Sequence, residues 1–146
     1  MTDPTNKLNI IDAHHHIWRL SDLEWLNGPT QARIFGDYDL IKRDYLVQEF
    51  IDDVTPQGVT ASVYIQVNWP DGAEFVEAAW VQETADRFGW PNAIIGYVDF
   101  SSENCAQRLK DLAQLPLMRG IRQQLHWHQN PLYRFAPEPD IMMDSK

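Results

Sequence analysis

A single cysteine, Cys105, stands in the 146 residues, which excludes an internal disulfide framework and any cysteine-built zinc site, and suits a reducing compartment. Basic residues are also scarce: 12 Lys and Arg face 21 Asp and Glu, for a net charge of -9, and no basic cluster occurs. A chain this acidic repels phosphate backbones and anionic lipid surfaces, so neither nucleic acid nor a membrane is expected as a partner. Long apolar runs are missing too. Met1 to Ile10 offers no basic stretch followed by an apolar one, and the expected location is cytoplasmic. No glycine-rich phosphate loop follows the first apolar run, and no Gly-x-Ser-x-Gly elbow occurs anywhere, which argues against nucleotide binding and serine-hydrolase chemistry. Cys105 lies in a helical pattern with no evident base beside it, so it is not expected to act as a nucleophile.

What is present is an alternation of short apolar runs and longer helical patterns, in a chain long enough for one domain with a sizeable core. Leu8 to His14 reads as a first strand. A polar stretch rich in aromatics follows, from Trp18 to Asp39, with turn signals at Gly28-Pro29 and Gly36-Asp37. It could close over a site as a lid, but packing against the domain is the plainer reading. Leu46, Val47, Phe50, Ile51 and Val54 share one helical face, and Pro56 and Gly58 end that element. Ala61 to Val67 is β-branched and aromatic, as a buried strand should be. The spacing predicts a helix over 73–88, with Phe75, Ala78, Val81, Ala85 and Phe88 in one stripe and Gly89 as its stop. A third strand is expected from Ala93 to Asp99, then a helix capped by Ser101 or Ser102 and carrying Leu109 and Leu112. A fourth strand follows from Leu117 to Arg122, and Gln123 to Lys146 reads as a long loop. The order β-α-β-α-β-α-β implies parallel strands joined by right-handed crossovers. Two α/β architectures fit: a small doubly wound sheet, or the first half of a (β/α)8 barrel of four parallel strands with about three helices. Strand order separates them, because a doubly wound sheet reverses direction at a switch point.

The chemistry-bearing residues gather at strand ends. Alternate side chains of a strand share a face, so His14 and His16 point one way and His15 the other, and two imidazoles so placed can take adjacent positions on a metal. Asp12, of the same parity, could orient a ligand from behind. A solvated histidine cluster is the competing reading. His126 and His128 flank Trp127 beyond the fourth strand and could complete a metal site, contact a substrate or line a surface loop. Gln66 and Asn68 end the second strand and Asp99 the third. Arg122, at the end of the fourth, could clamp a carboxylate in bidentate fashion. Asp99 could equally cap a helix, and Arg122 could pair with a neighbouring acid. Strand carboxyl ends are where sheets and barrels of this class place their sites.

Ile11-Asp12-Ala13-His14-His15-His16-Ile17-Trp18 resembles the opening strand of the amidohydrolase-related metal-dependent hydrolases, the branch of sugar lactonases and pyrone dicarboxylate lactonase. The likeness continues through Tyr64-Ile65-Gln66-Val67, Gly96-Tyr97-Val98-Asp99, Arg119-Gly120-Ile121-Arg122-Gln123 and Asn130-Pro131-Leu132-Tyr133-Arg134-Phe135. It implies a (β/α)8 barrel with a hydrolytic site at the strand carboxyl ends, acting on a small-molecule lactone of a sugar acid or carboxylic acid. It also implies a divalent metal, zinc first, held in part by His14 and His16, although some relatives dispense with metal. Gln66 and Arg122 match positions expected to face substrate, whereas His126 and His128 match no ligand position of the family and are candidates for substrate contact on their place beyond the fourth strand alone. The remaining ligands and the catalytic aspartate of that family come from the fifth, sixth and eighth strands. A complete barrel needs roughly 250 residues, so residues 1–146 read as the N-terminal part of one barrel domain, truncated, with its later strands elsewhere. Such a half leaves two strand edges unpaired. That makes association with itself or with a C-terminal half the alternative, non-catalytic role.

Overall fold

In the computed structural model, residues 9–33, 36–134 and 136 are described. Four strands, β1 (Ile10–His15), β2 (Val59–Ile65), β3 (Ala93–Gly96) and β4 (Met118–Ile121), form one sheet in the order β1-β2-β3-β4, every neighbouring pair parallel. Sequential order without reversal is the arrangement of a barrel wall and excludes the doubly wound sheet. The crossovers carry helices α2 (Val47–Val54), α3 (Glu74–Phe88) and α4 (Cys105–Leu112). A short helix α1 (Glu24–Asn27) lies within the aromatic stretch that the sequence offered only as loop. Leu8, the expected first residue of β1, lies outside the described residues, as do Phe135 and the tail from Pro137 onward.

The core forms where helices cover the sheet. Phe50 of α2, Val81 of α3, Tyr64 of β2 and Ile94 of β3 belong to one buried cluster, which Leu23 and Leu26 from the aromatic stretch complete. Packing is therefore what that stretch does with its apolar residues, and an antiparallel bridge between Trp18 and Tyr45 closes its base through N–H···O bonds of 2.8 and 3.0 Å. Each such side chain, fully removed from water, contributes about 1.5–3 kcal/mol. A second cluster, Ala78, Val98 and Leu112, seats α4 against α3, and an ion pair between Arg108 and Glu74 bridges the same two helices.

Four local expectations are corrected. The stripe on α3 buries Ala78, Val81 and Ala85, but Phe75 and Phe88 lie 45% and 38% exposed. The buried face instead takes in Glu74 and Glu77, because it is centred one position earlier, where those carboxylates find partners. No serine caps α4: Asn104 occupies the cap position and makes no side-chain bond there. Ser101 instead turns back on Asp99, whose Oδ1 accepts from the Ser101 N–H and Oγ–H at 2.9 and 2.7 Å. β3 also ends at Gly96, short of the expected Asp99. Finally, the register slips between Asp12 and His15, and the Asp12 carboxylate accepts the His14 backbone N–H at 3.0 Å. Among the described residues its hydrogen bond goes to that backbone and not to an imidazole.

No helix among the described residues is long and apolar enough to cross a membrane.

Candidate functional site

The strand ends open into a cavity of about 330 Å³, lined by His16 past β1, by Gln66, Val67 and Asn68 past β2, and by Arg122, Gln124 and His126 past β4. The aromatic stretch supplies a further wall with Trp18, Leu23, Trp25, Leu26 and Arg33, and the segment after β4 adds Leu132, Tyr133 and Arg134. His16, Gln66, Arg122 and His126 are thus brought together from three strands. His14 and His128 stand apart from the lining.

His15 and His16 illustrate how one strand sorts three histidines. His15 turns into the core, stacked on Phe50 with ring centroids 3.9 Å apart, its Nε2 3.0 Å from Ser62 Oγ. Burial lowers its pKa to about 4, so it is a neutral core residue. On the other side, His14 and His16 meet edge to face with centroids 5.0 Å apart. His14 is exposed, whereas His16 sits half-buried with Nδ1 2.8 Å from the carbonyl oxygen of Ile65. A carbonyl only accepts, so Nδ1 carries the proton and the Nε2 lone pair is left available. Burial also holds the His16 pKa below its ordinary value, which keeps the ring neutral. A neutral imidazole fixed through a backbone carbonyl is the form that ligates a metal.

The β2 exit is tightly tied. Asn68 adopts left-handed backbone, φ 59°, which asparagine tolerates better than most residues. Gln66, buried, accepts the Asn68 N–H on Oε1 at 2.6 Å, and its Nε2 reaches the Arg122 carbonyl at a long 3.5 Å. Its amide therefore fixes the cavity wall. Asn68 Nδ2 donates to Gln124 Oε1 at 3.3 Å, joining the ends of β2 and β4. Trp25 Nε1 donates to the Val67 carbonyl at 2.9 Å, which hangs the aromatic stretch on the same turn.

Electrostatically the cavity departs from the rest of an acidic chain. Three arginines line it, and no described Asp or Glu does. The Arg122 guanidinium makes no ion pair among the described residues; its NH1 lies 3.5 Å from the Gln66 carbonyl, and burial pulls its pKa down from the usual value. Arg33 keeps a buried Nε without a hydrogen-bond partner and lies over Trp25, 5.9 Å from the ring centroid. Guanidiniums that line a cavity without a described carboxylate partner are set up to receive an anion. Arg33, Trp25 and Arg134 escape sequence reasoning as site residues. The signal for Arg134 was its place in the Asn130–Phe135 segment, whereas nothing local marks Arg33.

His128 lies outside the cavity: its Nδ1 accepts the Asn130 N–H at 2.9 Å and its ring meets Tyr133 edge-on, which is a loop-building role. Asp99 accepts from Ser101 and from Gln123 Nε2, and these bonds hold its carboxyl below the usual range. No group of three or more His, Cys, Asp or Glu able to hold a metal occurs among the described residues. His14 and His16, with their rings side by side, do not by themselves make up such a group.

No family model matches the chain. Among curated proteins, the uncharacterized protein y4mH of Sinorhizobium fredii is 32% identical over 134 residues, covering 90% of this chain and 45% of that protein. L-fucono-1,5-lactonase of Burkholderia ambifaria is 27% identical over 139 residues, 91% of this chain and 44% of the lactonase. Among solved structures, an amidohydrolase from Burkholderia multivorans with bound zinc superposes with a TM-score of 0.60 at 26% identity, over 84% of this chain and 39% of that one. A probable 2-pyrone-4,6-dicarboxylic acid hydrolase from Acinetobacter baumannii, with citric acid bound, matches with a TM-score of 0.55 at 18% identity, covering 86% of this chain and 43% of that one. At that identity the likeness is one of fold. The chain spans less than half the length of the curated relatives it matches. The likeness in sequence and fold is to amidohydrolases, and it does not single out a branch within them.

Proposed function

We propose that this chain is the first half of an amidohydrolase-type barrel that hydrolyses a lactone, the cyclic ester of a sugar acid or related carboxylic acid. The observation that carries the reading is the cavity at the strand carboxyl ends, where His16, Gln66, Arg122 and His126 converge among arginines with no described carboxylate. Similarity to a lactonase and to a zinc-bearing amidohydrolase supports the same reaction class.

His14 and His16 would hold a divalent ion, zinc first, together with ligands from outside the described residues. Such an ion supplies Lewis acidity at the ester carbonyl. The Ile65 carbonyl keeps His16 in the tautomer that leaves Nε2 free. Arg122, flanked by Arg33 and Arg134, binds the negative charge of the ring-opened acid and any carboxylate the lactone carries. Gln66 holds the turn on which that face rests, Trp25 and Leu132 give the sugar or ring an apolar wall, and His126 adds a further side-chain contact from the lining. A C-terminal half would bring the acid that takes the proton from the attacking water.

The test is acid release from a lactone panel that includes L-fucono-1,5-lactone, followed with a pH indicator, with and without added zinc. It is run on this chain alone and on this chain joined to the later strands of the Burkholderia multivorans amidohydrolase. Turnover in the joined form that falls at least tenfold in Arg122→Met supports the proposal. Absence of acid release from every lactone in both forms overturns it.

A further inference from the structure

Glu77 lies outside the cavity, on the face of α3 that packs against the sheet, and only 3% of it is exposed. A carboxylate in that place is costly, since an apolar side chain would fill the space without losing hydration. Its partners give the reason for it. Oε1 accepts the Val67 N–H at 2.7 Å and the Tyr64 phenol at 2.8 Å. The β2–β3 ladder ends with the Gln66 N–H donating to the Ile95 carbonyl, so the buried Val67 N–H has no strand partner. A helix-borne acceptor is what that donor lacks, and the two lone pairs of the Glu77 Oε1 meet both the Val67 N–H and the Tyr64 hydroxyl.

We infer that Glu77 is a positioning residue, which from behind the cavity wall fixes the Gln66–Val67–Asn68 turn and thereby the ligand-facing places of Gln66, Asn68 and Trp25. The inference rests on the cavity being the substrate site proposed above. The chain of contacts is continuous: Glu77 holds the Val67 N–H, Trp25 holds the Val67 carbonyl, Gln66 holds the Asn68 N–H, and Asn68 reaches Gln124 on the opposite wall. Val67 is thus clamped on both edges of its backbone. Without Glu77 a buried N–H at the pivot would be left unpaired, and the turn would move to find water.

Amide hydrogen exchange followed by NMR tests this on the intact chain, using Glu77→Gln, Glu77→Leu and, as control, Tyr64→Phe. The expected order of exchange at Val67 is wild type and Tyr64→Phe slowest, Glu77→Gln faster, Glu77→Leu fastest by about ten- to a hundredfold. Amides of Ile94 and Ile95 should change far less. Equal acceleration at Val67 and at Ile94 in the Glu77 variants would reduce Glu77 to a general stability residue and overturn the inference. If Glu77→Leu does not fold, Glu77→Gln decides by the same comparison, and a Val67 amide that exchanges in wild type as fast as exposed loop amides overturns it outright. With any lactone that is turned over, Glu77→Gln should raise KM more than it lowers kcat, because binding-wall residues move and reacting groups do not. A lowered kcat at unchanged KM counts against the inference. Lack of turnover of every lactone by both the chain alone and its joined form would overturn the proposed reaction, while the exchange comparison would still judge Glu77.

Discussion

Replacing His15 with phenylalanine should remove a pH-dependent part of the folding free energy without disturbing the sheet. His15 is buried against Phe50, with one ring nitrogen near Ser62 Oγ and the other, Nδ1, without any hydrogen-bond partner. An imidazolium needs two acceptors and this pocket offers one, so burial holds the pKa at about 4 against 6.5 in the open chain. A folded-state pKa below the unfolded value means that the unfolded chain binds the proton first. Stability is therefore complete above pH 6.5, declines as the pH falls through that value, and stops declining near pH 4. Over the full 2.5 units, taken from those two values, linkage corresponds to roughly 3 kcal/mol, of which about 2 kcal/mol is lost by pH 5. Urea unfolding of wild type and His15→Phe in chelator-containing buffer, at pH 8, 7, 6, 5 and 4, isolates this component as the difference between two curves. The variant also leaves Ser62 Oγ unpaired, a pH-independent loss of about 1–3 kcal/mol that shifts its curve without tilting it. His16 and the carboxylates titrate in both proteins and cancel. Parallel curves from pH 7 to pH 4 would show that His15 is not held neutral by the core, and the reasoning would fail.

Zinc binding to this chain alone should be weak, because two imidazoles are only part of a site that ordinarily has three or four protein ligands. Titration calorimetry should show it abolished in His14→Ala/His16→Ala, whereas tight stoichiometric zinc surviving that double change would contradict the assignment. Citrate, as a probe of the basic cavity, should quench Trp25 fluorescence in a salt-sensitive way, and Arg122→Met should weaken that binding at least tenfold. Equal binding by the variant would place the anion elsewhere. Ile94→Ala, at the centre of the core and fully buried, should cost about 2–5 kcal/mol in urea unfolding, a loss under 1 kcal/mol being incompatible with a rigid, well-packed position.

The sequence by itself determined what depends on near neighbours. Alternation of β-branched runs with helical stripes set four parallel strands and their crossovers. The two-residue period of a strand sent His15 one way and His14 and His16 the other, as the structure has them. Gly89 ends α3 with φ 76°, as a left-handed stop should. Tertiary structure decided whatever depends on meetings across the fold. His16 gains its tautomer from Ile65, 49 positions away, and Gln66 meets Arg122 across 56. The inward face of α3 keeps Ala78, Val81 and Ala85 of the apolar stripe but exchanges Phe75 for Glu77, whose partners, the Tyr64 hydroxyl and the Val67 N–H, lie on another element. The gathering of Arg33, Arg122 and Arg134 around one cavity follows from strand curvature and loop packing, which leave no local period to read. Charge and hydrophobic pattern act over a turn or a pleat, whereas protonation state and ligand-facing geometry are set by desolvation and by partners that only the folded chain brings within hydrogen-bond reach.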